Sequence, residues 1–204
     1  MKNTIPISLM ALLLSVSGSI KAQEYDQFFT LGYNTSLPLS ETSDYIDEFS
    51  WRGINLDVKY FVKRNITLGV NGGWNVFHSN SGGVVSESVT VNDQMLTLSA
   101  KQYRYINALP IYFTGSYIAD LESVMLYAGT GIGGQYVAQR IQMGQYIIEY
   151  DEFQFAVSPH AGVYIPLNYY MMVNVGVQYN QSFTSSDAVQ LSNLAFNVGL
   201  TWGK

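Results

Sequence analysis

Residues 170–183 read YMMVNVGVQYNQSF and alternate strictly between two kinds of side chain. Apolar residues occupy the odd positions Met171, Val173, Val175, Val177 and Tyr179. Strict alternation predicts a β-strand with one apolar and one mostly polar face. Two classes of protein share this pattern, because a soluble sheet turns its polar face to water and a membrane barrel turns its apolar face to lipid.

Seven further segments of the chain alternate with the same period of two. They are residues 28–37, 53–62, 66–76, 101–117, 124–139, 152–165 and 194–202. Most are longer than the five or six residues usual in globular strands. About 9 to 11 residues of a tilted strand cross a bilayer. The lengths therefore favour membrane-spanning strands.

The polar faces of these segments carry small uncharged residues, mainly Gly, Asn, Thr, Ser and Gln. Clear charges occur there only at Asp57, Lys59 and Arg104, and only 12% of the chain is charged, against about 25% in soluble domains. A soluble sheet, including a lipocalin-like barrel, would expose Lys, Glu and Arg to water. Small polar residues fit the narrow interior of an eight-stranded barrel. We therefore place the apolar faces against lipid.

Short and long links alternate between the eight segments. The short links are 63–65, 119–123 and 166–169, and the long links are 38–50, 79–100, 140–151 and 184–192. Outer-membrane barrels have short periplasmic turns and long external loops. The sequence thus predicts an all-β fold, an eight-stranded antiparallel up-and-down transmembrane β-barrel in the cell outer membrane, with both termini periplasmic.

Outward-facing aromatic residues fall at two levels of the predicted barrel. The belt at the turn end comprises Phe29, Tyr60, Tyr117 and Trp202, and the belt at the loop end comprises Trp74, Tyr103, Tyr136, Phe155 and Tyr179. Amphipathic rings at two levels are typical of the two interfaces of a bilayer.

Residues 1–22 predict a secretory signal peptide, with a basic tip, a short apolar run and Ala22 before the cleavage point. A buried N-terminal helix is the alternative. Residues 23–204 then form the barrel domain, with eight basic and fifteen acidic residues and a net charge of −7. This acidic balance argues against nucleic acid as a partner.

Two motifs give the chain a family resemblance. Leu109-Pro110-Ile111 precedes a short turn and Tyr127-Ala128-Gly129-Thr130-Gly131, and IPLNYYMMVNVGVQY follows later. In this order they resemble the small outer-membrane β-barrel domain family, which is related in architecture to OmpA- and OmpX-type barrels. The resemblance implies contact with outer-membrane lipid and lipopolysaccharide, and insertion by the barrel-assembly machinery through the C-terminal strand. Many such barrels end on Phe, whereas Trp202 here precedes Gly203-Lys204.

Three positions depart from the strand pattern. Pro110 and Pro159 cannot donate a hydrogen bond to a strand ladder, so we expect a β-bulge at each. Asn107 points toward lipid by parity, and the alternation offers no reason for it.

Catalysis is not expected. Ser158, His160 and Asp57 all face inward, but the predicted second and sixth strands lie on opposite walls of the barrel. His78 and Ser79 are adjacent, so they face opposite ways on a strand. No metal-ligand spacing is present, and the glycine run 129–134 lies within a strand with no helix after it, unlike a phosphate loop. We therefore expect no metal or cofactor, and treat Asp57, Lys59, Arg104 and His160 as a structural interior polar cluster.

Three functions fit such a barrel: a structural or adhesive role through external loops, a narrow channel, and transport of a small hydrophobic ligand. The predicted interior aromatics disfavour an open pore, and they are Phe61, Phe77, Tyr112 and Tyr164. Residues 84–100 alternate on both sides of Asn92-Asp93, which predicts a hairpin extending past the membrane with a polar face of Ser86, Ser88, Thr90 and Gln94. An exposed strand edge can bind a partner strand. We therefore favour binding of a surface protein or host ligand through the loops, with a loop that is only solvated as the alternative.

Overall fold

The alternating segments are all β-strands in the computed structural model, which describes residues 25–204 except 92–93, 144–145 and 185–188. The predicted signal peptide lies outside these residues. The strands are β1 (Gln27–Pro38), β2 (Arg52–Lys63), β3 (Ile66–Val91), β4 (Gln94–Leu121), β5 (Val124–Met143), β6 (Tyr146–Pro166), β7 (Met171–Phe183) and β8 (Ser192–Gly203). One short helix, α1 (Glu41–Tyr45), lies in the β1–β2 link. Across the described ranges, no helix is long and apolar enough to span a membrane.

The eight strands form one closed barrel in which every strand pairs with its neighbours in the sequence. All pairs are antiparallel, and β8 returns to β1 along a ladder from Phe28–Gly203 to Pro38–Asn193. Closure satisfies the backbone groups of the first and last strands, which would otherwise form free edges. The predicted eight-stranded antiparallel up-and-down barrel is confirmed.

Side chains alternate between the interior and the outer wall as the sequence predicts. In β7, Asn174, Gln178 and Asn180 are buried, whereas Val175 and Val177 are exposed on the outer wall. The apolar face of this sheet is therefore its outer face. A soluble barrel would have the reverse arrangement.

The link predicted at 140–151 is wrong, because β5 continues to Met143 and β6 begins at Tyr146. Charged residues had interrupted the alternation there. The structure pairs Arg140 with Glu149 across the two strands, with an Nε–Oε1 distance of 3.2 Å. A strand that extends into water can carry such charges. The charged residues in this segment therefore do not mark the end of β5 or the start of β6.

The bulges predicted at Pro110 and Pro159 are also wrong. The β3–β4 register is the same on both sides of Pro110, at Gly72–Ile111 and at Asn75–Ala108. The β6–β7 register is likewise the same on both sides of Pro159. Each ladder lacks the strand pairs next to its proline, but neither strand has the extra residue that a β-bulge would insert there. Register shifts occur instead at 61–63 in β2 and 80–84 in β3.

Candidate functional site

The interior of the barrel contains three layers, and the first seals the end with the short turns. This turn-end layer is a cluster of buried side chains, Phe28, Ile118, Met125, Tyr127, Tyr164 and Met172. Its rings contact one another edge to face or tilted, with 5.2 Å between the centroids of Phe28 and Tyr164 and 4.7 Å between those of Tyr127 and Tyr164. Every member belongs to a strand. The pairing of the strands therefore assembles this layer directly.

A polar layer lies in the middle of the barrel and contains three of the four predicted cluster residues. Lys59 Nζ lies 2.9 Å from Asp57 Oδ2 and donates a hydrogen bond of 3.2 Å to Tyr164 Oη. The same ammonium group lies 4.5 Å from the centre of the Tyr127 ring. A buried charge needs such partners, because its loss of hydration is otherwise uncompensated. The ion pair thus anchors the polar layer to the turn-end layer.

His160 completes this polar layer from the other side of the barrel. Its Nε2 lies 2.9 Å from Ser116 Oγ, and its Nδ1 lies 3.2 Å from the carbonyl oxygen of Ser158. The Ser158 hydroxyl donates to Asn180 Oδ1 and accepts from Gln178 Nε2. Ser158 is thus held by two amides, and the arrangement does not resemble a catalytic triad.

The free space in the polar layer is very small. Asp57, Lys59, His160 and their polar neighbours enclose a cavity of about 20 Å³. A cavity of roughly 10–15 Å³ is enough for a single water molecule. The layer therefore has no room for an organic substrate, and it does not form a continuous channel.

The third layer seals the end with the long links. It is a second apolar cluster, made of Ile46, Phe77, Ile106, Ala108, Val137 and Leu191. Ile46 and Leu191 come from the β1–β2 and β7–β8 links, and each is only 1% exposed. Sequence reasoning missed both residues, although an isolated apolar residue in a polar link was an available signal.

Hydrogen bonds hold these two links together over the mouth of the barrel. Thr42 Oγ1 donates to the carbonyl oxygen of Gln190 and accepts from the backbone N–H of Ser192, at 3.1 and 2.7 Å. The backbone N–H of Leu39 donates to the Ser192 carbonyl oxygen at 2.9 Å. We call residues 39–46 and 189–191 the lid. The lid closes the loop end through its own contacts rather than through the strand ladder.

Arg104 lies apart from the predicted interior cluster. Its guanidinium contacts the lid at Tyr45, with 4.8 Å to the ring centre and a hydrogen bond of 3.1 Å to the carbonyl oxygen. It also donates to Gln102 Oε1 at 3.2 Å. These groups border a crevice of about 320 Å³ that Asp44 and Asp47 also line. Alternation along the strand correctly assigns Arg104 to the inner face. It does not give the height of Arg104 in the barrel, which depends on how far β4 extends past the loop end.

The glycine run in β5 provides space for packing. A methyl group on Gly131 would come within 3.0 Å of the Tyr112 Cβ atom and 3.3 Å of Thr114 Cγ2. Tyr112 is one of the largest fully buried side chains. The missing side chain therefore lets an interior tyrosine lie against the wall. Among the described residues, no group of three or more His, Asp or Glu side chains could hold a metal ion.

The predicted belt residues lie on the outer wall of the barrel. The exposed ones are Phe29, Tyr60, Tyr117, Trp202, Trp74, Tyr136 and Phe155. Tyr103 and Tyr179 are half-buried. Asn107, which the alternation left unexplained, accepts a hydrogen bond of 3.4 Å from Trp74 Nε1. The amide thus satisfies the indole N–H on an otherwise apolar wall, while the depth of the belts in a bilayer stays a prediction.

Four strands continue past the rest of the barrel at the loop end. The β2–β3 ladder stops at Arg52–Val76, but β3 continues to Val91 and pairs with β4 as far as Gln94. The predicted extension of both strands as a paired hairpin is therefore confirmed, whereas the predicted turn at residues 92–93 and the predicted polar face lie outside the residues that the structure describes in full. The β6–β7 ladder similarly stops at Phe155–Phe183, whereas β6 begins at Tyr146. We call β3–β6 beyond these points the protruding sheet.

Solved structures with the same architecture are outer-membrane barrels. The attachment invasion locus protein Ail of Yersinia pestis, in complex with the heparin analogue sucrose octasulfate, matches with a TM-score of 0.55 and 15% identity over 89% of this chain and 100% of that one. Neisserial surface protein A matches with a TM-score of 0.55 and 9% identity, over 87% and 96% of the two chains. OprG of Pseudomonas aeruginosa matches with a TM-score of 0.53 and 12% identity, over 88% and 96%.

No protein-family model and no curated protein sequence matches this chain. At these low identities, the likeness to the solved structures concerns the fold alone. The protein has the fold of the small eight-stranded outer-membrane β-barrels.

Proposed function

We propose that this protein is an integral outer-membrane β-barrel that binds a partner at the cell surface through its protruding sheet. The short turns and both termini face the periplasm in this proposal, and the lid and protruding sheet face outside. The apolar outer wall, the aromatic residues on it and the likeness to outer-membrane barrels support this location. Outer-membrane lipid and lipopolysaccharide then surround the wall, and the C-terminal strand β8 is the segment for the barrel-assembly machinery.

The protruding sheet is the observation that carries the proposed binding role. From residue 77 to 91, β3 pairs with β4 but has no partner strand on its other side within the described residues. These 15 residues of β3 span roughly 50 Å at about 3.3 Å per residue. An unpaired edge offers N–H and C=O groups that can bind another strand, whatever its side chains. The edge therefore suits a partner that adds a β-strand.

The charge of the loop end favours a neutral or basic protein as this partner. Residues 39–52, 79–104, 140–152 and 184–192 together contain ten acidic and four basic residues. Ail is crystallised with a heparin analogue, which is a polyanion. An acidic loop end repels such a ligand. We therefore do not propose a polyanionic ligand of this kind for this protein.

The interior layers disfavour the two other functions that the sequence leaves open. A narrow channel requires a continuous polar path, but apolar layers lie at both ends of the polar layer. A transporter of small hydrophobic ligands requires an apolar gap, and the polar cavity is only about 20 Å³. We expect no catalysis either, because Ser158 is held by amide side chains rather than by a base.

Epitope tags test the orientation of the barrel in intact cells. A tag inserted between Asn92 and Asp93 will bind antibody on intact cells. A tag inserted after Asn65, in the β2–β3 turn, will bind antibody only after the outer membrane is permeabilised. The reverse pattern would overturn the proposed orientation. Recovery of the tagged protein in the soluble fraction of lysed cells would overturn the membrane location.

Replacement of residues 82–97 by a short Gly-Ser linker tests the binding role. We expect the barrel to assemble and to keep its heat-dependent shift on a detergent gel, because the ladders nearer the membrane are untouched. Adhesion of intact cells to immobilised host matrix proteins, and to one another, will fall to the level of cells without the protein. Asp93→Gly is the matched control, since Asn-Gly favours a two-residue hairpin turn and leaves the flanking strands unchanged. Unchanged adhesion by the linker variant would contradict the proposal.

A further inference from the structure

A groove lies on the outer wall of the barrel, near the loop end, and takes no part in the proposed binding by the protruding sheet. Its volume is about 510 Å³. The groove crosses β1, β2, β3 and β4, and its lining includes Tyr33, Trp51, Arg52, Ile54, Trp74 and Asn107. A groove on this wall faces lipid in the membrane rather than water.

The strand register arranges the groove in two rows. Tyr33 pairs with Ile54, and Ile54 with Trp74, which gives an apolar row across three strands. One step nearer the loop end, Arg52 pairs with Val76, and Val76 with Asn107. The groove is therefore apolar toward the membrane centre and carries a cation and an amide toward the surface.

Tryptophan side chains border both rows of the groove. Trp51 is 67% exposed and contacts the Phe49 ring with 4.7 Å between centroids. The Trp74 side chain is 48% exposed, and its N–H is bonded to Asn107, which fixes the ring against β4. Trp74 lies in the apolar row and Trp51 directly precedes Arg52, so the two tryptophans present broad apolar faces to an acyl chain at successive levels of the groove.

Arg52 provides the charge of the upper row. It shares the outward face of β2 with Ile54 and Leu56, and its side chain is exposed. Among the described residues, no acidic side chain forms an ion pair with its guanidinium. Guanidinium binds phosphate through two parallel hydrogen bonds, which makes arginine a strong phosphate ligand.

We propose that this groove binds a phosphorylated acyl lipid of the outer leaflet, of the lipid A type. One acyl chain lies along Tyr33, Ile54 and Trp74, and a phosphate of the headgroup binds Arg52. The apolar-to-cationic order of the two rows matches the order of acyl chain and phosphate in such a lipid. The choice of leaflet rests on the proposed orientation of the barrel, whereas the complementarity of groove and lipid does not.

Native mass spectrometry of the full chain, released from detergent with added lipid, tests this assignment. Diphosphoryl lipid A is the probe, and phosphatidylcholine is the zwitterionic comparison. Arg52→Gln removes the charge and keeps most of the stem. We expect it to weaken binding of diphosphoryl lipid A roughly five-fold, because one basic residue contributes about that factor to the binding of an anionic lipid. Its binding of phosphatidylcholine will fall less, because choline balances the charge of the phosphate in that lipid.

Two further variants separate the groove from the bulk of the wall. Lys63→Gln removes one charge at the opposite end of the same strand and will bind both lipids as the parent does. Val76→Phe fills the groove without changing charge and will weaken lipid A binding to a similar extent. The heat-dependent gel shift checks that each variant is folded.

Three outcomes would overturn the assignment. They are unchanged lipid A binding by Arg52→Gln, an equal loss by Lys63→Gln, and equal affinity of the parent for both lipids. The last would mean that lipid covers the wall without a specific site. The epitope-tag experiment reports on orientation alone, so failure of either proposal can be recognised separately.

Discussion

The two ends of the barrel are both sealed by buried apolar side chains, but the seals are built differently. At the turn end, Phe28, Tyr127 and Tyr164 belong to strands whose pairing already fixes their positions. At the loop end, Ile46 and Leu191 belong to links that fold back over the mouth. The first seal is part of the barrel wall, whereas the second is completed by link residues whose contacts the wall does not impose.

This difference predicts separate stabilities for the two ends. A segment with few ladder hydrogen bonds can open locally without global unfolding. Opening the lid breaks the Thr42 bonds and exposes Ile46, yet it leaves every strand pair of the barrel in place. Exposing the turn-end layer instead requires strands to separate. We therefore expect the turn end to govern the free energy of unfolding, and the lid to open without unfolding the barrel.

Tyr164→Ala is expected to have the largest effect on stability. The Tyr164 side chain is fully buried, its ring contacts Phe28 and Tyr127, and its hydroxyl accepts a hydrogen bond from Lys59. Removing a large buried aromatic side chain costs about 3–5 kcal/mol of unfolding free energy. Denaturant titration of the barrel refolded in lipid vesicles measures this loss.

Tyr150→Ala provides the matched control for this substitution. Tyr150 lies at the loop end of β6 and is 58% exposed. An exposed substitution of this kind changes the free energy of unfolding by about 0.5 kcal/mol or less. Equal losses for the two variants would show that the ends do not differ in the way we describe.

Asp57→Asn is expected to have an intermediate effect. The substitution leaves the buried Lys59 ammonium without its carboxylate at 2.9 Å, and an unpaired buried group of this kind costs about 1–3 kcal/mol. The same vesicle titration measures the loss. In the double variant Asp57→Asn, Lys59→Met, the remaining charge is removed, so part of the stability will return. Unfolding of Asp57→Asn at the parent's denaturant concentration would refute the pairing.

The double variant Ile46→Ala, Leu191→Ala is expected to have a smaller effect on global unfolding than Asp57→Asn. It weakens only the closing of the lid, and the loss in the vesicle titration cannot exceed the free energy of that closing, because the barrel with an open lid keeps all its strand pairs. Amide hydrogen exchange will accelerate in residues 42–46 and 189–192. Asp47→Ala, an exposed substitution in the same link, will leave that exchange unchanged.

Planar-bilayer recording of the lid variant sharpens the same comparison. The turn-end layer remains intact in this variant, so neither it nor the parent will show porin-like current steps. Large, stable steps in the lid variant alone would mean that the turn-end layer does not seal the barrel. A loss of global stability as large as that of Tyr164→Ala would show that the lid is part of the cooperative core.

The alternation of apolar and polar residues predicts most of the fold without reference to tertiary contacts. The pattern 171–179, repeated along the chain, predicts the strands, their inward and outward faces and the positions of Asp57, Lys59 and His160 inside the barrel. The hairpin at 84–100 followed from the same period and a turn at Asn92-Asp93. A period of two assigns each side chain to a face because the backbone of a strand leaves no other choice.

The same rule failed where contacts between distant segments decide the outcome. It ended β5 too early and began β6 too late, because Arg140 and Glu149 stabilise each other only once the strands are paired. The bulges expected at Pro110 and Pro159 did not occur, because intact pairs on either side hold the register. Alternation gives no reason for an amide at Asn107 on the outer wall. The pairing of β3 with β4 supplies the reason, because it brings Trp74 Nε1 within hydrogen-bond distance of Asn107.

The order of residues along the chain is enough to predict the class of fold, the faces of the strands and the acidic character of the loop end. Only tertiary contacts place Ile46 and Leu191 in a lid, Arg104 at the mouth, and Arg52 above the apolar row of the groove. Alternation along one strand depends on neighbouring residues, whereas these arrangements depend on the register between strands and on how the links fold back. Register and closure place residues such as Thr42 and Ser192 in contact across 150 positions of the chain.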